Sequence, residues 1–241
     1  MEIIVCENHK EISKKASEII IDKINHQKNV VLGLATGSTP IELYRLLVQA
    51  NKENKCSFKN VVTFNLDEYV GLSKDHEQSY HYYMYHHLFS KIDIKKENIN
   101  LIEQTTSDLD AIAKSYNNKL NENKIDIQIL GIGSNGHIGF NEPRTSFSNE
   151  TFIVELDEKT REDNKRFFNS IEEVPKQAIT MGIKNIMKAK KIILIASGQK
   201  KAEAIKQMIL GPIDEKVPAS VLQLHPNVVV VIDKKAASKL K

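Results

Sequence analysis

A glycine-rich segment that carries one histidine and one glutamate is the part of the sequence best suited to chemistry. Residues 131–143 read Gly-Ile-Gly-Ser-Asn-Gly-His-Ile-Gly-Phe-Asn-Glu-Pro and follow an apolar run at 125–130. The imidazole of His137 can change its charge near neutral pH, and the carboxylate of Glu142 lies five residues further on. Glycines let a backbone approach a ligand closely. The segment therefore predicts a site of proton transfer.

The same segment also matches the dinucleotide-binding pattern Gly-x-Gly-x-x-Gly, at Gly131, Gly133 and Gly136. That pattern requires a strand before it and a helix after it, because the pyrophosphate binds at the helix N-terminus. A strand is predicted, but the residues after Gly136 have no helical periodicity and end at Pro143. We therefore expect no nicotinamide or flavin cofactor; a purely structural tight turn is the other interpretation.

A second segment, Leu-Ala-Thr-Gly-Ser-Thr-Pro at 34–40, has the features of a phosphate-binding turn. A predicted strand leads into Gly37, Ser38 and Thr39, and Pro40 then suits the first position of a helix. A helix start offers free N–H groups and the positive end of the helix dipole. No Gly-Lys-Ser/Thr follows, so the turn is not a Walker loop. The alternative is an ordinary capped helix.

Charged residues follow two other predicted strands. Asp67 and Glu68 come after the apolar run at 61–66, and neighbouring strand side chains point to opposite faces, so only one can face a given pocket. That carboxylate is a candidate general base, although such a pair is also typical of a helix cap or a surface. Lys200 and Lys201 follow a third glycine-containing turn, in the first turn of a predicted helix, where a lysine opposes the helix dipole; this suggests an anionic ligand, and a solvated lysine is the other interpretation. Arg166 is a further candidate phosphate partner.

Other chemistries are disfavoured. His76, His81 and His86 are spaced five apart, so they lie about 140° from one another around a helix and cannot share a metal. We therefore predict an aromatic helix packed on the sheet at 79–87 and no metal site. The sequence contains no Gly-x-Ser-x-Gly, which argues against a serine nucleophile.

These segments are positioned by an alternation of short apolar runs and amphipathic stretches. Strands are predicted at 3–5, 29–34, 61–66, 125–130, 191–196 and 228–232, and helices near 11–25, 41–51, 109–121, 183–189 and 200–209. This pattern predicts an α/β fold, a doubly wound three-layer αβα domain with a mainly parallel, Rossmann-like central sheet. We expect a single domain over 1–241, in which the polar segment 145–175 forms a small lid or flap.

Composition excludes several classes of protein. The 34 Lys and Arg residues exceed the 31 Asp and Glu residues by three and are interspersed, which disfavours nucleic-acid binding. No apolar run approaches the ~18 residues of a membrane helix, and the N-terminus does not look like a signal peptide. The two cysteines have no metal spacing and fit a reducing compartment. We expect a cytoplasmic enzyme that acts on a small molecule.

Taken together, these motifs resemble the glucosamine-6-phosphate deaminase (glucosamine-6-phosphate isomerase) family. The resemblance covers almost the whole chain. It rests on the segments 34–40 and 136–143, on Val-Val-Thr-Phe-Asn-Leu-Asp-Glu-Tyr-Val-Gly at 61–71, and on shorter matches at 166–168, 174–180 and 222–226. It implies conversion of glucosamine 6-phosphate and water to fructose 6-phosphate and ammonia, without cofactor or metal. A homo-oligomer is compatible with this family, but its size is not given by the sequence.

The resemblance also implies a role for each candidate site residue. Asp67 would take the proton from C2 of the sugar and return it at C1. His137 would open the pyranose ring, with Glu142 as its relay partner. The 6-phosphate would be held by Gly37, Ser38, Thr39, Arg166 and Lys201. The chain departs from many members at Asn135, where they carry an Asp; an Asn can fix a histidine tautomer but cannot stabilise imidazolium by charge.

The family resemblance leaves two alternative functions and one question of regulation. 6-Phosphogluconolactonases share the general fold, but they continue Gly-His with Thr-Ala-Ser and carry Asp-Glu-Arg where this chain has Asp67, Glu68 and Tyr69. A non-catalytic sugar-phosphate sensor would keep the pocket without needing the proton-transfer residues. Regulated deaminases bind N-acetylglucosamine 6-phosphate through basic residues at positions that are Phe152 and Val154 here.

Overall fold

The computed structural model describes residues 1–104 and 106–240, and its strands form two sheets. The strands in this part of the chain are β1 (Glu2–Cys6), β2 (Val31–Leu34), β3 (Val62–Asn65), β4 (Asp67–Tyr69), β5 (Ile99–Asn100), β6 (Ile127–Leu130), β7 (Phe152–Glu155), β8 (Gln177–Thr180), β9 (Lys191–Ala196) and β10 (Val228–Asp233). Seven of them pair in parallel in the order β1-β10-β9-β6-β2-β3-β5. The other three form a small antiparallel sheet, β4-β8-β7.

Helices connect the strands of the central sheet. Those in the described residues are α1 (His9–His26), α2 (Ile41–Lys52), α3 (Tyr80–His87), α4 (Leu109–Glu122), α5 (Glu158–Asn164), α6 (Ile183–Ile186) and α7 (Ala202–Leu210). Asn8 caps α1, and its side chain accepts hydrogen bonds from two amides of the first turn; Asp108 caps α4 by accepting from one amide, that of Ala111. No helix in this part of the chain is both long and apolar enough to span a bilayer.

The apolar composition of the central strands follows from their burial. Every residue of β6 and β10 is buried, and the runs Ile-Gln-Ile-Leu and Val-Val-Val-Val-Ile-Asp are almost continuously apolar. Such runs are typical of parallel strands covered on both faces, because no face is left for water. The predicted α/β fold with a mainly parallel sheet is thereby confirmed, and α3 lies where an aromatic helix was expected.

The order of strands contains one reversal, and this reversal positions the site. From β2 the chain adds β3 and β5 on one side, and it then returns to add β6 on the other side of β2. The connections that leave the carboxyl ends of β2 and β6 therefore lead in opposite directions along the sheet, and open α/β sheets bind ligands in the crevice at such a point. The two glycine-containing turns found in the sequence leave these two strands.

The small antiparallel sheet was not predicted. β4 has three residues, which is too few to show periodicity, and β7 lies inside the polar segment 145–175. β7 pairs with β8, and its Val154 packs with Tyr69 and Phe140 in a second apolar cluster. Part of the predicted flap is thus an ordered strand. A single domain over 1–241 stays a prediction, and Thr105 and Lys241 lie outside the described residues.

Candidate active site

The crevice between β2 and β6 contains a cavity of about 520 Å³, a size typical of small-molecule sites. Most of the residues singled out in the sequence line it. They are Gly37, Ser38, Thr39, Asp67, His137, Arg166 and Lys201. Glu142 and Asn135 lie behind this lining and reach it through contacts with His137 and with each other. The structure therefore brings the sequence-predicted residues together at one edge of the sheet.

The turn after β2 forms one end of the cavity. Gly37 has a φ of +92°, a conformation that glycine adopts without strain, and Ser38 and Thr39 lead from it into α2. Arg166 reaches this turn from the segment 145–175, and its Nη2 lies 3.3 Å from Ser38 Oγ. The guanidinium is therefore already next to the hydroxyls that the sequence predicted as phosphate ligands.

Lys201 approaches the same end of the cavity from the turn after β9. Asp233, at the end of β10, fixes this turn by accepting hydrogen bonds from Ser197 Oγ at 2.6 Å and from the amide of Gly198. These donors, with the amide of Ala236, outweigh burial and hold the pKa of Asp233 below its ordinary value. Asp233 was not identified from the sequence, because its contacts depend on the adjacency of β9 and β10.

The adjacent carboxylates Asp67 and Glu68 point in different directions, as strand geometry requires. Asp67 faces the cavity, and it is 6% exposed. Glu68 instead accepts hydrogen bonds from three backbone amides, its own neighbour Tyr69 and the first residues of α3, Tyr80 and His81. Glu68 is thus a helix cap, and only Asp67 is available to a ligand.

Burial controls the ionisation of both carboxyl groups. It raises the pKa of Asp67 to about 8, with a further contribution from the charge of Glu68. Burial also raises the pKa of Glu68 to about 7, although the hydrogen bonds that it accepts from three backbone amides favour its charged form. A carboxylate with a pKa near the pH of the reaction is well suited to take a proton from carbon and return it.

His137 and Glu142 form a pair on the glycine-rich segment. His137 Nδ1 lies 3.5 Å from Glu142 Oε2. Although burial raises the pKa of Glu142, the neighbouring ring of His137 and the side chains of Thr160 and Asn135 lower it below its ordinary value. Glu142 therefore stays ionised and can orient the imidazole through Nδ1. The other ring nitrogen, Nε2, is left for a ligand.

The local sequence explains how this pair is formed. The ring of His137 packs directly over Gly133, where a Cβ atom would lie 2.4 Å from the imidazole Cε1. The amide of Gly133 donates to the carbonyl oxygen of His137 at 2.9 Å, which closes the turn. Any larger side chain at position 133 would displace the imidazole, so this glycine is required by close approach.

Asn135 contacts this pair from the side. Its Nδ2 donates to Glu142 Oε2 at 3.2 Å, and its Oδ1 accepts from the backbone amide of His137, also at 3.2 Å. Asn135 thus orients the carboxylate and the backbone of the turn, and its influence on the imidazole passes through Glu142.

We predict that Asn135→Asp moves the acidic limb of the pH–rate profile to higher pH, by about 0.5–1 unit. The new carboxylate removes a donor from Glu142 and adds a like charge, so the pKa of Glu142 rises. Profiles of kcat/KM between pH 5 and 9 would test this, with Asn121→Asp as a control that adds the same charge on the exposed surface of α4. Superimposable profiles of the parent and Asn135→Asp would contradict the contact.

Three cavity residues were missed in the sequence. Tyr80 begins α3 and stacks on Phe140, and Thr160 and Asn164 lie on α5. Thr160 and Asn164 are four residues apart on one helix face, and Arg166 follows in the next turn. This spacing was the available signal, but the segment is too polar and too short for its buried face to be recognised from sequence.

A comparison with known proteins assigns the chain to a family. A family model described as glucosamine-6-phosphate isomerases/6-phosphogluconolactonase matches residues 7–231. The chain therefore belongs to this family, which includes two kinds of enzyme.

Its relatives separate these two kinds. The chain is 55% identical over 239 residues to the glucosamine-6-phosphate deaminase of Thermoanaerobacter pseudethanolicus, covering 99% of the chain and 94% of the relative. A solved structure of a monomeric glucosamine-6-phosphate deaminase is 46% identical with a TM-score of 0.97, covering 99% and 100% of the two chains. A 6-phosphogluconolactonase from Leishmania guyanensis is 23% identical with a TM-score of 0.78, covering 100% and 98%, a likeness of fold alone. The resemblance to the deaminases is thereby confirmed.

Proposed function

We propose that this protein is a glucosamine-6-phosphate deaminase, which converts glucosamine 6-phosphate and water to fructose 6-phosphate and ammonia. One observation supports this function most directly. A turn with cationic partners, a buried carboxylate and a histidine line a single cavity, and Glu142 contacts that histidine from behind the lining. Aldose–ketose isomerisation of a sugar phosphate needs an anion site and separate groups that move protons at oxygen and at carbon.

The phosphate end of the substrate would occupy the turn at Gly37, Ser38 and Thr39. Free amides at a helix start, two hydroxyls and the charges of Arg166 and Lys201 are complementary to a phosphate dianion. Arg166 Nη2 already lies 3.3 Å from Ser38 Oγ, so the guanidinium and the hydroxyl could bind the same phosphate with little rearrangement. This anchoring would direct the sugar ring along the cavity toward Asp67 and His137.

His137 would open the ring. Its imidazole would accept the proton of the O1 hydroxyl and donate a proton to O5, which breaks the C1–O5 bond and gives the open-chain aldehyde. Glu142 would hold the imidazole during this exchange and stabilise its charged form, because its own pKa is lowered and it remains ionised. The two steps need a group that titrates near neutral pH, which is the property of histidine.

Asp67 would then carry out the step at carbon. It would take the proton from C2, which the adjacent aldehyde acidifies, and return it to C1 of the resulting enolamine. The product is an imine at C2, and water hydrolyses it to the ketone and ammonia. The ammonium group of the bound substrate would favour the ionised form of Asp67 and so offset the desolvation that raises its pKa.

Two other functions make different predictions for the same assay. We expect the purified protein to release ammonia from glucosamine 6-phosphate and to leave 6-phosphogluconolactone unhydrolysed beyond its spontaneous rate. Hydrolysis of the lactone without ammonia release would favour a lactonase. Binding of glucosamine 6-phosphate without either reaction would favour a sensor. Heat-denatured protein is the control for spontaneous hydrolysis.

We also propose that residues 145–175 act as a lid over the cavity. The segment contributes Thr160, Asn164 and Arg166 to the lining, and each comes from a short helical turn at its centre. Binding of substrate phosphate to Arg166 would hold this segment closed and exclude water from the enolamine, which protects a reactive intermediate.

We predict hyperbolic kinetics that N-acetylglucosamine 6-phosphate does not alter. In the regulated deaminases that effector binds through basic residues, whereas the matching Val154 is buried in an apolar cluster and Phe152 packs against it. A phosphate has no charged donor there, so the differential affinity that allostery requires is absent.

Initial rates with and without the effector would test this prediction, and sedimentation would give the oligomeric state under the same conditions. A sigmoidal curve that becomes hyperbolic with the effector would contradict it. We expect no such change. The similar solved deaminase is described as monomeric, and the same assembly here would remove the subunit interface that an effector site of that kind needs.

A further inference from the structure

Two side chains from outside the phosphate-binding turn donate hydrogen bonds to its carbonyl groups. Tyr83 Oη, on α3, lies 2.6 Å from the carbonyl oxygen of Gly37. His9 Nε2, at the start of α1, lies 2.9 Å from the carbonyl oxygen of Thr39. Because a carbonyl oxygen only accepts, the proton of His9 must be on Nε2 for this contact.

A third donor comes from the helix that follows the turn. Tyr44, which is fully buried in α2, donates from its hydroxyl to the carbonyl oxygen of Ala35 at 2.5 Å. The carbonyls of residues 35, 37 and 39 are therefore each engaged by a different helix. We call Tyr44, Tyr83 and His9 the carbonyl clamp.

The amides of the same turn are in the opposite situation. Within the part of the chain that the structure describes, the backbone N–H groups of Gly37, Ser38 and Thr39 donate to no protein group. Amides without protein partners and carbonyls held on protein donors together form a surface that attracts an anion. A carbonyl oxygen turned toward the phosphate would repel it.

Gly37 is the position at which this arrangement is most easily lost. Its φ of +92° lies in a region where glycine has little steric restraint, so the peptide plane between Gly37 and Ser38 can rotate. The carbonyl oxygen of that plane is the acceptor of Tyr83, and its N–H belongs to Ser38. A rotation by half a turn would replace the N–H that faces the anion with the oxygen.

We propose that Tyr83 is a positioning residue that fixes the Gly37–Ser38 peptide in its phosphate-binding orientation, while His9 plays a lesser part at Thr39. The lesser part follows from the sequence: the peptide after Thr39 leads into Pro40, which has no N–H to present. Tyr83 acts through the turn and touches no reacting atom. This role rests on the proposed function only in assigning the turn to phosphate.

The test compares Tyr83→Phe with Tyr82→Phe. Tyr82 is the neighbouring residue on α3 and is 38% exposed, and among the described residues its hydroxyl forms no hydrogen bond with the turn, so this control removes the same group and keeps the contact of Tyr83 with Gly37. Calorimetric titration with inorganic phosphate gives a dissociation constant that does not depend on turnover. We expect Tyr83→Phe to weaken phosphate about three- to tenfold, as for loss of one neutral hydrogen bond. His9→Phe should weaken phosphate less, and Tyr82→Phe should leave the constant unchanged.

Steady-state kinetics provide the second readout. KM for glucosamine 6-phosphate should rise with the phosphate dissociation constant in Tyr83→Phe, while kcat changes less than twofold, roughly, since the reacting groups are untouched. Thermal melts confirm that each variant is folded. A Tyr83→Phe protein that binds phosphate as Tyr82→Phe does, or that loses kcat and not KM, would overturn the role. If the parent binds phosphate but releases no ammonia, the deaminase function fails while the role of Tyr83 is still decided by the titrations.

Discussion

Replacing Asp67 with Asn is expected to abolish turnover while leaving phosphate binding intact. The amide has nearly the same shape as the carboxylate but cannot accept a proton from carbon, and a positioned base contributes about 10²–10⁴ in rate. Asp67 follows β3, whereas the phosphate-binding turn follows β2, so the anion site does not depend on its charge. We would measure ammonia release together with the inhibition constant for inorganic phosphate. A variant with near-parental kcat would show that another group is the base.

The same variant makes a prediction about stability that serves as its folding control. Because the folded-state pKa of Asp67 is raised from 3.8 to about 8, its contribution to the free energy of unfolding is present below about pH 4 and is lost as pH rises through 8. Asp67→Asn should therefore match the parent at pH 4 and exceed it at pH 9, by on the order of 1–2 kcal/mol. The exposed substitution Asp75→Asn should show no such trend.

The second large effect is expected at the phosphate end of the cavity. Arg166→Ala or Lys201→Ala removes a charged donor, and such a hydrogen bond contributes ~1.5–3 kcal/mol, which corresponds to about 10–150-fold in affinity. The loss should fall on phosphorylated ligands and spare analogues that lack the phosphate. Competitive inhibition by a sugar phosphate and by the corresponding free sugar measures this discrimination.

Lys206→Ala is the matched control for these variants, because Lys206 is an exposed lysine on α7 outside the cavity lining. It should leave both inhibition constants unchanged. If Arg166→Ala and Lys201→Ala weaken the phosphorylated and the free sugar equally, the two cations contribute to the general shape of the cavity and the assignment of an anion site is wrong.

The fold and the site were predictable from sequence to different degrees. The strands β2, β6, β9 and β10 are apolar runs, and their burial on both faces gives them a signal that needs no tertiary information. The turns that follow β2 and β6 carry glycine beside polar residues, so both could be recognised before their adjacency was known. Because parallel strands end at the same edge, the sequence also indicated that these turns would meet.

What the sequence could not give depends on contacts between distant segments. Glu142 contacts both His137 and Asn135, and these contacts depend on how the turn folds. From the sequence alone, a direct effect of Asn135 on the imidazole tautomer was expected. The lining by Thr160 and the hydrogen bond from Tyr83 to Gly37 join segments far apart in the chain. β4 and β5, with three and two residues, are too short to show any period.

The face of C1 that receives the proton tests the central claim most directly. Glucosamine 6-phosphate deuterated at C2 would be converted in deuterated water, and the fructose 6-phosphate analysed by NMR at C1. A single carboxylate on one side of the sugar predicts one deuterium at C1, on one face only, in step with ammonia release, and no labelled product from Asp67→Asn. Deuterium on both faces of C1, or equal labelling by the Asp67→Asn variant, would contradict the assignment of Asp67 as the base that carries this proton.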